Sequence, residues 1–262
     1  MNTSLKNELK NLSKIISNLD RKVLTIFLSV AVLQTISWYF TSLRFFRLNL
    51  FDYFSTSQNV DLYQYLYWFI GNFFSFFILP LLIIIIILKD KPRNFGLRIG
   101  DFRPGLRISF YFILVMILIA WFASSSSSFG NTYPLFQRTK ESWDLFLVYE
   151  VGLLVYVFAW EFIWRGFMLF GLEEKFGYYA VLIQMIPFVI LHNGKPSIET
   201  FSAIIGGIAL GILALRTRSF LYCVIVHISV MFTIDLFSVL RYRAADFGIG
   251  INSVINIIKA IF

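Results

Sequence analysis

The chain has 262 residues, of which 58% are hydrophobic and 19% aromatic. Soluble domains are about 45–50% apolar even when glycine is counted, so this composition excludes an ordinary soluble protein. The net charge of +8 requires no nucleic-acid partner, because basic loops facing anionic lipid account for it. The single cysteine, Cys223, excludes a disulfide within the chain.

Residues 1–22 predict an amphipathic helix on the cytoplasmic membrane surface. Apolar residues recur there at helical spacing, at Leu5, Leu9, Leu12 and Leu19, with lysines between them. No cleavage site of small residues precedes the first apolar run, so we expect the segment to be retained. The alternative is a solvated helix that does not bind lipid.

Seven apolar segments follow, and they predict an all-α, polytopic integral membrane protein with one membrane domain, residues 23–262. A helix needs about 20 apolar residues to cross the bilayer, and the first two segments reach that length without a charge. The predicted spans are Val23–Ser42, Tyr63–Leu88, Ile108–Ala123, Leu145–Leu172, Tyr178–His192, Thr200–Leu215 and Phe220–Leu240. The fifth and sixth are short enough to be re-entrant instead. Ile251–Phe262 predicts a short C-terminal helix.

The distribution of Lys and Arg predicts that the N-terminus is cytoplasmic. With seven alternating spans, the segments on the N-terminal side carry 14 Lys and Arg and those on the other side carry 8. Cytoplasmic loops carry the excess of basic residues. We therefore expect an integral protein of the cell membrane in contact with the lipid bilayer.

A few ionisable residues interrupt the apolar spans, and such residues usually face the protein interior and mark function. They are Glu150, Glu161, Arg165, His192, Glu199, His227 and Asp235. Both histidines of the chain are among them. Two imidazoles and a carboxylate suit a Zn²⁺ site with an open position for water. They equally suit a general base with donors to a developing oxyanion. From spacing alone, a hydrolytic and an ion-conducting cluster both remain open.

Three consecutive motifs resemble the CPBP family of intramembrane proteases, which includes the CAAX prenyl proteases and bacteriocin self-immunity proteins. The motifs are "WEFIWRGFMLF", "FVILHNGKP" and "CVIVHISVMFTIDL". The family pattern is E-E-x-x-x-R, then F-x-x-x-H, then H-x-x-x-N or D. The similarity covers roughly residues 95–236, and we place the family-like core at about 95–240.

The match to the family pattern is uneven. The residues that agree are Glu161, Arg165, Phe188, His192 and His227. Trp160 stands where the family has its first Glu, which is thought to activate water, and Met231 stands where it has Asn or Asp. Adjacent helical residues point about 100° apart, so Glu161 cannot replace the missing Glu unless the helix rotates or unwinds.

The resemblance implies an endopeptidase that cleaves a membrane-associated peptide or protein. Glu161 would be the base, His192 and His227 would be oxyanion donors or metal ligands, and Arg165 would orient Glu161. Glu150, Glu199 and Asp235 are auxiliary candidates, and zinc is an open cofactor. One alternative is a catalytically silent immunity or scaffold protein, which the two substitutions favour. An ion-coupled transporter is the other.

Simpler structural roles compete with these assignments. Glu161 and Arg165 would lock helices together as a buried pair. Glu150 and Asp235 would lie at the membrane interface. Glu199, near the start of its span, would be an acid that suits a helix N-terminus.

Overall fold

The computed structural model describes residues 5–260; residues 1–4 and 261–262, which the predicted terminal segments include, lie outside the described residues. Within that range the secondary structure is helical, without strands. The longer helices are α1 Leu5–Ser17, α2 Arg21–Phe40, α3 Val60–Ile87, α4 Phe102–Ala123, α5 Trp143–Phe176, α6 Tyr179–Ile190, α7 Ser197–Thr217, α8 Leu221–Ala244 and α9 Ile251–Lys259. Short helical segments occupy Leu43–Asn49, Phe51–Phe54, Pro92–Phe95, Ser127–Thr132 and Gln137–Lys140.

Six of the helices in the described range, α2, α3, α4, α5, α7 and α8, are long and apolar enough to cross a membrane. The prediction of an all-α polytopic membrane protein is therefore confirmed. The sixth span was predicted to be short enough to be re-entrant. That prediction was wrong, because the corresponding helix α7 has 21 residues. Glu199 and its flanking polar residues extend this helix beyond the apolar stretch that the prediction followed.

The fifth predicted span is the short helix α6, whose 12 residues rise about 18 Å. This helix and the turn after it run antiparallel to α7. A Cβ on Gly211 would lie 2.9 Å from Val181, and Thr200 donates a hydrogen bond of 2.9 Å to the backbone carbonyl of His192. Together the helix and the turn therefore follow most of the length of α7.

Ion pairs identify which helix ends lie together. Lys22 at the start of α2 pairs with Glu174 at the end of α5, at 3.3 Å. Arg216 at the end of α7 pairs at 2.8 Å with Asp101, just before α4. We call this the Lys22 end of the bundle. These pairs agree with seven alternating crossings, whereas the cytoplasmic location of the N-terminus stays a prediction.

The opposite end, here called the Tyr133 end, is covered by residues 124–142. The Tyr65 hydroxyl, in α3, donates to the backbone carbonyl of Leu135 at 2.6 Å. Arg243 in α8 donates to the carbonyl of Lys140 at 2.9 Å. The connection between α4 and α5 is therefore hydrogen-bonded to the first part of α3 and to the end of α8.

The terminal helices agree with the sequence pattern. In α1 the side chains of Leu5, Leu9 and Leu12 are exposed, so the predicted amphipathic helix is present with its apolar stripe unburied. Its binding to lipid stays a prediction. The C-terminal helix α9 buries Ser253 and Ile257 and packs against α8.

Candidate active site

The first motif lies where the longest helix changes its winding. Residues Trp143–Glu161 of α5 are α-helical, and Phe162–Met168 form a π-helix before α-helical geometry resumes at Leu169. π-helical segments occur often at functional sites. The distortion begins only after Glu161, so Trp160 and Glu161 keep their α-helical relation and Glu161 does not take the place of the missing first Glu.

Glu161 and Arg165 form an ion pair across this widened turn. Arg165 donates from Nη1 to Glu161 Oε1 at 3.1 Å, and both side chains are completely buried. A buried carboxylate is stable as an anion only when it is paired and hydrogen-bonded. The guanidinium supplies that compensation here.

His227 of α8 binds the same carboxylate oxygen. Its Nδ1 lies 2.6 Å from Glu161 Oε1. A carboxylate only accepts hydrogen bonds, so Nδ1 carries the proton and a neutral ring leaves Nε2 as an acceptor. The imidazole is 17% exposed, whereas Glu161 is fully buried. The carboxylate therefore orients an imidazole whose other nitrogen is free to take up a proton.

His192, just beyond the end of α6, is held by the backbone. Its Nδ1 donates to the carbonyl oxygen of Phe188 at 2.7 Å, which again leaves Nε2 as the acceptor of a neutral ring. An acceptor nitrogen does not stabilise an oxyanion unless the ring first gains a proton. The geometry thus favours the histidines as proton acceptors or ligands over the oxyanion role that the family pattern implied.

Aromatic rings join these groups into one cluster. The Arg165 guanidinium lies 4.0 Å from the centroid of the Phe188 ring. The Phe188 centroid is 4.5 Å from that of His192 and 6.4 Å from that of His227. The Trp160 ring lies 6.3 Å from the ring of His192. Trp160 therefore forms an apolar wall beside the cluster, at the chain position where the family has an acid.

Several polar atoms of the cluster have no hydrogen-bond partner among residues 5–260. They are Glu161 Oε2, Arg165 Nε, Arg165 Nη2 and Trp164 Nε1. Buried polar groups normally have a partner. These atoms retain the capacity to bind a polar group such as a peptide or a water molecule.

Glu150 and Asp235 are fully or almost fully buried, so their expected interfacial position was wrong. Their carboxyl groups lie within hydrogen-bonding range of each other, linking α5 to α8. Glu150 lies about 16 Å before Glu161 along α5, and Asp235 about 12 Å beyond His227 along α8. The two acids therefore form a second cluster toward the Tyr133 end and do not join Glu161.

Glu199 lies in the first turn of α7, as predicted, and it has two partners that were not predicted. Lys195 donates to its carboxylate at 2.8 Å, and the hydroxyl of Tyr133 donates to the other oxygen. Burial first, and the adjacent Glu199 carboxylate second, raise the pKa of the Tyr133 hydroxyl. The i,i+4 spacing of Lys195 and Glu199 was a usable signal, whereas nothing in the loop sequence marked Tyr133.

A metal ion does not fit these side chains well. Among residues 5–260, no three or more His, Cys, Asp and Glu side chains are arranged to hold one. The histidines would supply two nitrogens, and the carboxylate oxygen nearest to them is already bound to Arg165 and His227. We therefore derive no catalytic step through zinc.

A groove of about 260 Å³ approaches the cluster between α2, α3 and α5. Its walls include Trp38, Trp68 and Tyr156, and it reaches Trp160 and Leu191, the residue before His192. Arg44 also lines it. The groove combines apolar aromatic walls with one cation.

Comparison with known proteins agrees with the motif assignment. Residues 142–233 match the family model described as "Type II CAAX prenyl endopeptidase Rce1-like". No curated protein and no solved structure shows significant similarity to the chain. The matched segment contains Glu161, Arg165, His192 and His227 and ends just after Met231. Residues 142–233 are thus similar to the Rce1-like group of CAAX-type endopeptidases, which confirms the predicted resemblance to the CPBP family.

Proposed function

We propose that the chain is an intramembrane endopeptidase whose catalytic base is His227, oriented by Glu161. The observation that carries the proposal is the 2.6 Å hydrogen bond between His227 Nδ1 and Glu161 Oε1. It fixes the imidazole tautomer in the way that a buried carboxylate does in other hydrolytic dyads. Arg165 positions Glu161, because it binds the same oxygen at 3.1 Å.

In this mechanism Nε2 of His227 accepts a proton from water as the water oxygen attacks the peptide carbonyl. The carboxylate of Glu161 stabilises the resulting imidazolium. The imidazolium then gives the proton to the nitrogen of the departing amine, which restores the neutral ring. The donors of Arg165 and Trp164 that lack a partner among the described residues would hydrogen-bond the negative oxygen of the tetrahedral intermediate once a substrate reaches them.

The groove beside Trp160 suits a peptide that enters from the membrane. Its aromatic walls match an apolar segment, and the guanidinium of Arg44 matches a carboxylate. The family description makes a C-terminal CAAX peptide, with and without a prenyl group, the first substrate to test.

The test is cleavage of these peptides by the purified protein in lipid nanodiscs. We expect His227→Ala and Glu161→Gln to reduce kcat by roughly 10²–10⁴-fold, because both remove the oriented base. Ser202→Ala, an exposed position on α7, serves as the matched control and should retain full activity. Cleavage at equal rates by wild type and by His227→Ala would contradict the proposal.

A catalytically silent binding protein is the second candidate, and the position of Trp160 favours it. Trp160 packs against Phe188 and His192 where the family has an acid, and Glu161 is fully buried. A silent protein would bind the peptides with equal affinity in the wild type and in His227→Ala, and it would cleave neither. Binding without cleavage would therefore support this candidate over the endopeptidase.

A further inference from the structure

The acid pair Glu150–Asp235 has no role in the proposed mechanism. Asp235 is completely buried and Glu150 is 7% exposed. None of their four carboxyl oxygens has a donor among the described residues. The hydroxyl of Tyr149, the residue before Glu150, is also fully buried and without a partner among the described residues. The hydroxyl of Ser238, one turn beyond Asp235, also lacks a partner within residues 5–260. The four carboxyl oxygens and the two hydroxyls therefore make six buried oxygen atoms without such a partner.

Neighbouring cations do not neutralise this pair. The closest amines belong to Lys195 and Lys140, at the start of α7 and in the 124–142 connection. Lys195 binds Glu199 at 2.8 Å, and Lys140 binds the carbonyl of Gly130 at 2.6 Å. The remaining titratable groups that face the pair are the hydroxyls of Tyr133 and Tyr149 and the carboxylate of Glu199. Helix α4, on the other side of α8, carries no charged residue beyond Arg107.

Two carboxylates cannot hydrogen-bond each other, since both are acceptors only. Burying both as anions without a paired cation would strongly destabilise the fold. A single proton removes both difficulties, because a protonated acid donates to its charged neighbour. We propose that Glu150 and Asp235 share one proton and form a proton-binding site that joins α5 to α8.

In this proposal protons reach the site from the Tyr133 end, past Ser238, because neither acid lines the cavity at that end. That cavity, of about 470 Å³, is lined by Lys140, Ser238 and Tyr242, among others. Ser238 lies on the same face of α8 as Asp235. Loss of the proton leaves two adjacent anions between α5 and α8, the helices that carry Glu161 and His227. The site therefore controls the spacing of the two helices, whether or not the chain cleaves peptides.

Infrared spectroscopy of the purified protein in nanodiscs tests the proposal directly. At neutral pH we expect the carbonyl stretching band of a protonated carboxylic acid, with a shift in D₂O. The band should be lost in the double variant Glu150→Gln/Asp235→Asn and kept in Glu199→Gln, a neighbouring acid outside the pair. Absence of the band in the wild type, or its survival in the double variant, would overturn the proposal.

Thermal unfolding as a function of pH provides the second measurement. We expect the unfolding temperature of the wild type to fall more steeply from pH 5 to pH 9 than that of the double variant, because only the wild type must keep its proton. Stabilisation by Na⁺ at constant ionic strength, without the infrared band, would show that a metal cation occupies the pair and would refute the proton site.

Discussion

One carboxylate oxygen of Glu161 binds both the guanidinium of Arg165 and the imidazole of His227. Each of these three side chains therefore restrains the other two. Arg165 lies 3.1 Å from the carboxylate that binds His227. It also lies 4.0 Å from the centroid of the Phe188 ring, in the helix that precedes His192. Loss of the guanidinium therefore affects stability as well as catalysis. The effect on stability can be measured separately from any catalytic activity.

We expect Arg165→Met to lower the free energy of unfolding by about 3–5 kcal/mol, because it leaves the Glu161 carboxylate buried without its cation. The double variant Arg165→Met/Glu161→Gln should regain most of this loss, since no uncompensated charge remains. Thermal unfolding in nanodiscs measures both. Equal stability of the single and double variants would show that the ion pair is not the reason for the loss.

Trp160→Glu restores the acid of the family pattern beside the dyad. The new carboxylate is not bound to Arg165, so it can accept a proton from water more readily than Glu161. We expect peptide cleavage to rise about tenfold or more, below the roughly 10²–10⁴-fold contribution of a fully positioned base. The control is Trp160→Gln, because a glutamine side chain has nearly the same size as glutamate and carries no charge. Equal activity of the two variants would exclude an effect of the carboxylate.

The hairpin of α6 and α7 depends on close contact between two helices. A Cβ on Gly211 would meet Val181 at 2.9 Å and the amide nitrogen of Gln184 at 3.0 Å. That amide donates to the carbonyl of Gly207 at 2.9 Å and ties the two helices together. Gly207 and Gly211, four residues apart, therefore form a packing surface inside the protein.

Two glycines of α7, Gly206 and Gly211, give a matched pair for testing this contact. Gly211→Ala should cost about 1–3 kcal/mol of stability through overpacking. Gly206→Ala meets nothing within 4 Å and should stabilise the helix by about 0.5–1 kcal/mol. The free energy of unfolding of both variants, compared with that of the wild type, tests this contact. A destabilised Gly206→Ala variant would mean that this face of α7 has a partner of its own.

The C-terminal helix α9 depends on Asp246, a partly exposed acid that follows α8. Asp246 accepts hydrogen bonds from Asn256 and from the backbone N–H of Gly248, each at 2.8 Å. These two, with Ser253 third, hold the pKa of Asp246 below its ordinary value. A depressed pKa stabilises the folded form at neutral pH, and this stabilisation is lost as the pH falls through the folded-state pKa.

We therefore expect α9 to loosen on acidification. Hydrogen exchange of residues 250–259, corrected for its intrinsic pH dependence, should accelerate between neutral pH and about pH 3, the acid side of the ordinary Asp pKa of about 3.9. In Asp246→Asn the same residues should already exchange faster at neutral pH, with little further change. A wild-type profile identical to that of the variant would contradict this role.

The bundle as a whole has two ends that labelling can distinguish. Cys223 is completely buried and is replaced first, by alanine. Single cysteines at the exposed positions Ser17 and Arg93 then report the Lys22 end, and those at Thr56 and Glu141 report the Tyr133 end. If the N-terminus is cytoplasmic, an impermeant maleimide applied to intact cells labels only the second pair. Labelling of only the first pair would reverse the orientation, and labelling of one member from each pair would refute seven crossings.

The apolar runs predicted a membrane bundle, and the family pattern predicted that Glu161, His192 and His227 belong to one site. The direct contact of Glu161 with His227, between helices that are far apart in sequence, was not predicted. Tertiary contacts that lack a local pattern were not predictable. The pairing of Glu150 with Asp235 depends on the rotation of two helices, and the partnership of Tyr133 with Glu199 depends on how a loop folds.

The π-helical segment Phe162–Met168 ties the charge arrangement of the site to the winding of one helix. Its hydrogen bonds span five residues where an α-helix spans four. Tightening to ordinary winding would turn the end of α5 about the helix axis relative to its start. Glu161 and Arg165 would stay on one face, because residues four apart are neighbours in an α-helix. A local rewinding could thus re-aim the end of α5 while the carboxylate keeps its cation.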